Sequence, residues 1–549
     1  MNLIKSTMIL SMSMWISKLL GFLYVIPFIV LVGMQGNILY EYAYKPYAIM
    51  LSVSSLGIPI AISQFVSKYN ELGEYNTGKK LFKTSLWFMT ITGFIGFLLM
   101  MVFAPSIAQL LVAKNDVTGN DLDSIIYVIR MVSTALLIVP AMSAIRGYFQ
   151  GYGATIPTAV SQVLEQFVRI VFILITTYYV LRILEGDMKV AIGWATFAAT
   201  IGAIAGLLSL FWYLKAWKVR IEPDEPSKPI SITTTQMLKE IISKAIPFVL
   251  ASLAIPLYQL IETYTINDAL VNVGYTQGDA ETVNSIISLV QKLILIPVGL
   301  ASAFGLTLVP AITNAYTAKN KDLLNDYITK TFKVLLFVLL PTVVLMMVLS
   351  KSIFGIMFGW EHATQGGWVT FWYSPSLLLY SLFIVTAAIL QGINKHKFVI
   401  ASLVVGVILK MVLNPFLTQH FEEYGVILST NIGFATSVLI NAWGIRRFAS
   451  FPFGIIIKQT QSIVFLSTMM FGFGYVFNWC AEHVISGFDL NLYAEHVIMV
   501  VVIGGLTGLF FLVTSIKSGL LFDLLGDRFR FLKRIKKRKE KEQQLSQKI

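Results

Sequence analysis

Polar breaks divide this chain into a succession of apolar runs, each long enough to cross a bilayer as a helix. Fourteen such runs can be delimited, at 7–32, 42–67, 84–108, 124–148, 155–181, 190–214, 245–268, 283–312, 331–356, 371–391, 397–417, 425–444, 456–480 and 493–516. A spanning helix needs roughly 20 mostly apolar residues, whereas a spanning strand needs only about 10. The pattern therefore predicts an all-α polytopic membrane protein with about 14 transmembrane helices.

Composition agrees: of 549 residues 56% are hydrophobic and only 13% charged, with a mean hydropathy of +0.74. An ordinary soluble domain is far more charged. The basic residues set the orientation. With the N-terminus inside, the inner segments carry 32 of the 42 Lys and Arg residues, while the outer segments carry five, Lys45, Lys114, Arg182, Lys189 and Lys351, beside acidic residues such as Asp121, Asp123, Glu422 and Glu423. Both termini are expected in the cytoplasm. The first run contains Lys18 and has no small-residue cleavage site, so it reads as a retained helix and not a secretory signal. The closing "RFRFLKRIKKRKEKEQQ" suits anionic lipid headgroups at the inner surface better than nucleic acid.

Several chemistries are excluded. Cys480 is the single cysteine, so neither a disulfide framework nor a CxxC site exists within the chain. The histidines (His362, His396, His420, His483, His496) lack ligand spacing and fall near helix ends, where solvation is expected. "GEYNTGKK", Gly73 to Lys80, fits GxxxxGK but ends in Lys80 where a phosphate loop needs Ser or Thr, and it follows a membrane run, not a strand. With no nucleophile and base pair either, the chain is expected not to be an enzyme and to hold no firm metal site or cofactor.

Charges at membrane depth carry the functional signal. Five cations remain there, Lys18, Arg130, Arg169, Lys292 and Lys410, against two carboxylates, Glu165 and Glu262. Such residues cost about 3 kcal/mol each on insertion scales and normally face a bundle interior or a wet cavity. The positive excess points to an anionic ligand and speaks against a drug exporter for cations. Glu165 and Arg169, one turn apart, lie on one helix face with Gln162 and Gln166. They read either as a structural pair or as a gating pair in which Glu165 holds Arg169 until substrate takes it. In "YQLIETYTIND", Glu262, Thr263 and Asn267, with Gln259 and Thr265, offer oxygen ligands for a coupling ion, sodium or a proton. Helix-interior prolines, Pro27, Pro59, Pro247, Pro256, Pro297, Pro310 and Pro415, are candidate kinks.

A weak internal repeat organises these residues. A shift of 241 places Gln150-Gly151 on Gln391-Gly392 and Arg169 on Lys410, and a shift of 247 places Lys45 on Lys292 and Tyr69 on Tyr316. The predicted organisation is a six-helix half (1–220), a cytoplasmic linker (221–244), a second six-helix half with pseudo-two-fold relation to the first (245–447), helices 13 and 14 (456–516) and a basic tail (517–549). Two halves around a site near the midplane are the usual build of an alternating-access transporter. On this reading Arg169 and Lys410 face each other across a central cavity.

"SKLLGFLYVIPF" in the first run, "FQGYGATIPTAVSQVLEQFVRI" in the fourth to fifth and "QKLILIPVGLASAFGLTLVPAIT" in the eighth resemble the MurJ-like lipid II flippases, in their Gram-positive branch related to the sporulation protein SpoVB. That superfamily also includes polysaccharide flippases and MATE exporters. The resemblance implies a cationic cavity for a pyrophosphate-sugar headgroup, with Lys18, Lys45 and Lys292 at positions where the family carries basic residues. It also implies a groove on helices 13 and 14 for the polyprenyl tail, and drive by membrane potential or a cation gradient. Where the family often carries further arginines this chain has Tyr24, Leu51 and Ser52, so Arg169 and Lys410 are candidates to substitute, with Arg130 a further candidate cavity cation. The expected substrate is undecaprenyl-pyrophosphate-linked sugar-peptide, carried by a monomer in the bacterial cytoplasmic membrane, with membrane lipids and cell-wall synthesis proteins as further partners. A flippase for another lipid-linked oligosaccharide, teichoic or capsular, shares every one of these features.

Overall fold

The computed structural model describes residues 3–55, 57–111, 119–221, 233, 235–239, 242, 249, 253–485 and 491–521. Most of the linker 221–244, most of the start of the seventh run, including Pro247, and nearly all of the tail 517–549 lie outside them. The described elements are helices: α1 (Leu3–Leu23), α2 (Val25–Ser55), α3 (Ile58–Glu71), α4 (Tyr75–Gln109), α5 (Leu122–Ser133), α6 (Val139–Gly151), α7 (Thr155–Tyr178), α8 (Met188–Ile221), α9 (Ala254–Val271), α10 (Gln277–Thr317), α11 (Lys321–Val348), α12 (Ser350–Phe358), α13 (Ala363–Gly392), α14 (His396–Ala449), α15 (Gly454–Ile485) and α16 (Leu492–Lys517).

Among the described residues eleven helices are long and apolar enough to span a membrane. One of them, α14, carries two of the predicted runs, separated where Glu422 turns to φ 51°. The first run lies on α1 and the start of α2, and the described part of the seventh falls mostly on α9, so each predicted run falls on helices among the described residues. Polar side chains start several helices: Asp121 accepts from the Ser124 amide at 3.2 Å and Asn320 from the Leu323 amide at 3.0 Å, caps that satisfy otherwise orphaned amides.

The interruptions differ from those expected at prolines. The first run ends inside α2, where Gly33 takes φ 65°, and the second is cut between α2 and α3, where Gly57 takes φ 87°. Both angles suit glycine because it has no Cβ. Pro59 opens α3, where its missing amide costs nothing, while Pro297, Pro310 and Pro415 stand inside helices.

The chain forms two compact units, Met1–Ile296 with Val399–Ser437, and Pro297–Phe398 with Val438–Ile549. In the first, α3, α4 and α6 enclose a core that includes Ile62, Phe65, Val66, Leu81, Met89 and Tyr148. The helices approach closely: a Cβ on Gly147 would lie 2.6 Å from the Pro59 carbonyl oxygen. In the second, α11, α15 and α16 share a core of Val344, Val348, Leu466, Met470, Met499 and Ile503. There His496 is buried, its Nδ1 2.8 Å from the Ser352 hydroxyl and its ring against Trp360, which corrects the expectation of a solvated histidine.

Gly147→Val should therefore lower the stability of detergent-solubilised protein by roughly 1–3 kcal/mol, the usual cost of overpacking. Gly472→Ala, with nothing within 4 Å of the added carbon, should change it by less than about 0.5 kcal/mol. Thermal unfolding of both variants measures the difference.

Candidate functional site

The polar interior of the first unit is built around α2. Its "QGNILYEYAYKPY" segment carries polar groups on several faces, a composition stable in a membrane only if other helices surround it. They do. Gln35 Nε2 donates to the Gly278 carbonyl at 2.8 Å, and Asn37 Nδ2 to Ser285 Oγ at 2.9 Å. Asn267 Nδ2 donates to Tyr42 Oη at 2.5 Å, and Lys45 Nζ donates to Thr263 Oγ1 at 2.5 Å and Ser288 Oγ at 2.7 Å. A ladder of hydrogen bonds thus runs for about 15 Å along α2 at helical rise, joining it to α9 and α10. At one end Asn120 and Glu281 extend it, the Asn120 amide and side chain both donating to Glu281 Oε2 at 2.9 and 2.8 Å.

Lys292 on α10 pairs with Glu41 on α2 at 2.7 Å and keeps 24% of its side chain exposed. Its ammonium lies 6.0 Å from the ring centre of Tyr40. Arg169 on α7 reaches the same tyrosine: Nη2 donates to Tyr40 Oη at 2.7 Å, Nη1 to Tyr44 Oη at 3.4 Å, and the guanidinium lies 4.9 Å from the Tyr44 ring centre. Arg169 Nε is buried and has no hydrogen-bond partner among the described residues. Tyr40 therefore stands between two cations whose side chains are partly exposed, although Lys292 Nζ and Arg169 Nε are themselves buried.

Other expected roles change. Glu165 does not hold Arg169; it pairs with Arg146 on α6 at 2.7 Å, and Arg146 also donates to Ser161 at 2.7 Å. The one-turn spacing set both residues on one face, but each long side chain meets a different neighbouring helix, Glu165 meeting α6 and Arg169 meeting α2. Lys410 does not face Arg169 across an open cavity: it is wholly buried and paired with Glu262 at 3.2 Å. Glu262, Thr263 and Asn267 do not converge on one ion, since Thr263 serves Lys45, and Asn267 bonds Tyr42, the Leu111 carbonyl and Asn284. Lys45, counted from sequence among the outer cations, is buried. Lys18 on α1 and Arg130 on α5 are exposed. Tyr24, at a position where arginine was expected from the resemblance, is buried.

Sequence reasoning missed Glu41, Tyr40, Tyr44 and Arg146. Glu41 precedes Lys45 by one turn, the same signal that singled out Glu165 and Arg169, but it fell in a segment assigned to the outer surface.

Comparison with known proteins places this geometry. A sequence profile described as "Polysaccharide biosynthesis protein" matches residues 3–316, and one described as "MatE" matches residues 247–416. The lipid II flippase MurJ of Bacillus subtilis is 40% identical over 96% of this chain and 97% of its own, and the stage V sporulation protein B of the same organism is 25% identical over 74% of this chain and 76% of its own. Among solved structures, a lipid II flippase MurJ in an inward closed conformation superposes with a TM-score of 0.65 at 16% identity, over 94% of this chain and 100% of that one. An inward-facing multidrug resistance MATE family transporter gives 0.60 at 16% identity, over 78% of this chain and 94% of that one. These likenesses to solved structures show a shared fold, and with near-complete coverage at 40% identity the chain belongs to the MurJ family of lipid II flippases.

Proposed function

We propose that this multi-pass membrane protein moves lipid II, the undecaprenyl-pyrophosphate-linked peptidoglycan precursor, from the inner to the outer face of the bacterial cytoplasmic membrane by alternating access. The observation that carries the reading is the pair Arg169 and Lys292 on either side of Tyr40, two partly buried cations that include a guanidinium Nε with no hydrogen-bond partner among the described residues. A pyrophosphate supplies several charged acceptors, which a guanidinium takes in a bidentate fork and an ammonium as a point charge. Glu41 neutralises Lys292 while the site is empty, and phosphate oxygens replace its carboxylate on loading. Membrane potential supplies drive, because an anion leaving a negative cytoplasm gains about 2.3 kcal/mol per charge per 100 mV. The distribution of Lys and Arg supports a cytoplasmic position for both termini. The exposed apolar side chains of α15 and α16, such as Phe465, Tyr475 and Val501, suit the polyprenyl tail.

Depleting the protein should cause lipid II to accumulate on the inner leaflet, as read by extraction and by protection from an external reagent. Accumulation of a teichoic or capsular lipid precursor in its place would overturn the choice of substrate. Lys292→Ala and Arg169→Ala should each weaken lipid II affinity in detergent by about 10-fold or more, since a charged hydrogen bond contributes about 1.5–3 kcal/mol. Arg169→Lys should fall between, having lost the fork but kept the charge, and wild-type affinity in Lys292→Ala would remove that residue from the site. A photo-crosslinker at Phe465 or Val501 should capture polyprenyl lipid, and capture of protein alone would make this face a docking surface.

A further inference from the structure

Glu262 has the surroundings of a cation site, and the cation is already there. Its Oε1 accepts from Gln291 Nε2 at 2.7 Å, and its Oε2 accepts from Thr430 Oγ1 at 3.0 Å. The Lys410 ammonium, with no exposed surface, donates to Glu262 Oε2 at 3.2 Å, the Val426 carbonyl at 3.1 Å, Ser429 Oγ at 3.1 Å and Thr430 Oγ1 at 2.5 Å. The hydroxyl protons go elsewhere: Ser429 donates to Asn414 Oδ1 at 2.6 Å, and Thr430 to Glu262. Each hydroxyl therefore turns a lone pair toward the ammonium. Asn414 is fixed in turn by its bond to Thr265 Oγ1 at 2.5 Å.

One carboxylate, one carbonyl and two hydroxyl oxygens around a single positive centre is the donor set that hard cations select. A lone carboxylate balances one charge, so the class of cation is monovalent. An ammonium has only three donors to satisfy; here four oxygens from α9 and α14 converge on the nitrogen. We propose that this cage is a monovalent-cation site permanently filled by the ammonium of Lys410, a cation tethered to the chain, so that the protein has no requirement for sodium or potassium at this position. A tethered cation at this position would serve the transporter in the same way whichever lipid is carried.

Removing the tether should expose the site. In Lys410→Ala the cage keeps its carboxylate and oxygens but lacks a cation, so the purified full-length variant should be destabilised in choline chloride and restored by sodium or potassium chloride at equal ionic strength. A saturable rise of about 3 °C or more in melting temperature is expected, and propylammonium chloride should restore it as well. The parent should melt at the same temperature in all these salts. Lys410→Met combined with Glu262→Gln, which removes both charges, should fold and be indifferent to the cation. A parent that gains stability saturably from sodium would overturn the proposal. So would a Lys410→Ala variant equally stable in choline, sodium and propylammonium. Should Lys410→Ala fail to accumulate, the same comparison made with Lys410→Ser decides in the same way. These readouts involve no lipid, so they fail or succeed separately from the assignment of lipid II.

Discussion

A charge placed at membrane depth must be met by another group or by water, because hydrocarbon offers neither hydrogen bonds nor dielectric screening. The first unit is arranged by that requirement. Lys292 is met by Glu41, Lys410 by Glu262, Arg146 by Glu165, Lys45 by two hydroxyls and Arg169 by two phenols. In each case the partner lies on a different helix, or on a different part of a kinked one. Meeting the charges therefore also fixes which helices are neighbours and in what register. Apolar packing alone would not, since lipid tails are as apolar as leucine and little favours one hydrophobic face over another.

The kind of partner decides what each cation can do. A carboxylate cancels the charge, and where the pair is sealed, as at Lys410, the result is structural. Where the enclosure is less complete, as at Lys292, whose side chain is 24% exposed, an incoming anion can compete for the cation. Interhelical hydrogen bonds in membrane proteins average only about 0.6 kcal/mol in double-mutant cycles. The ladder between α2 and the α9–α10 hairpin can therefore be broken and remade a rung at a time within a transport cycle. Hydroxyl and phenol rungs are especially suited to this, because either partner is readily satisfied by water once it enters.

The helices were legible in the sequence because their determinant is local: a run of apolar residues of bilayer length needs no knowledge of its neighbours. Charge partners are not local, and there the reading failed in a consistent direction. Glu165 and Arg169 were joined because helical spacing is visible along the chain, whereas Arg146 comes from a different helix and was counted with the inner cations. Glu41 was set aside because the break before the second run was placed at residue 42, when the turn is in fact at Gly33. That difference of nine residues, from 33 to 42, moved a buried carboxylate to the outer surface. Glu262 was read as a ligand for a coupling ion, and nothing in the sequence indicated that it would pair with Lys410, 148 positions away.

Recounting the buried charges weakens one argument for an anionic ligand and strengthens another. Five cations against two carboxylates overstated the excess, since Glu41 and Glu281 are buried as well. The sum of charges is nonetheless a poor guide, because attraction depends on where charge is left uncancelled. Lys45 and Arg169 are held by neutral oxygens, which orient a cation and stabilise it without removing its field. Lys45 is sealed, but Arg169 is only partly buried and shares Tyr40 with Lys292, whose own neutralising partner a polyanion would displace on the proposed reading. A ligand approaching Tyr40 thus meets one uncancelled charge and a second that its own negative groups can release. That arrangement selects for a polyanion over a single carboxylate, since only the former can engage both.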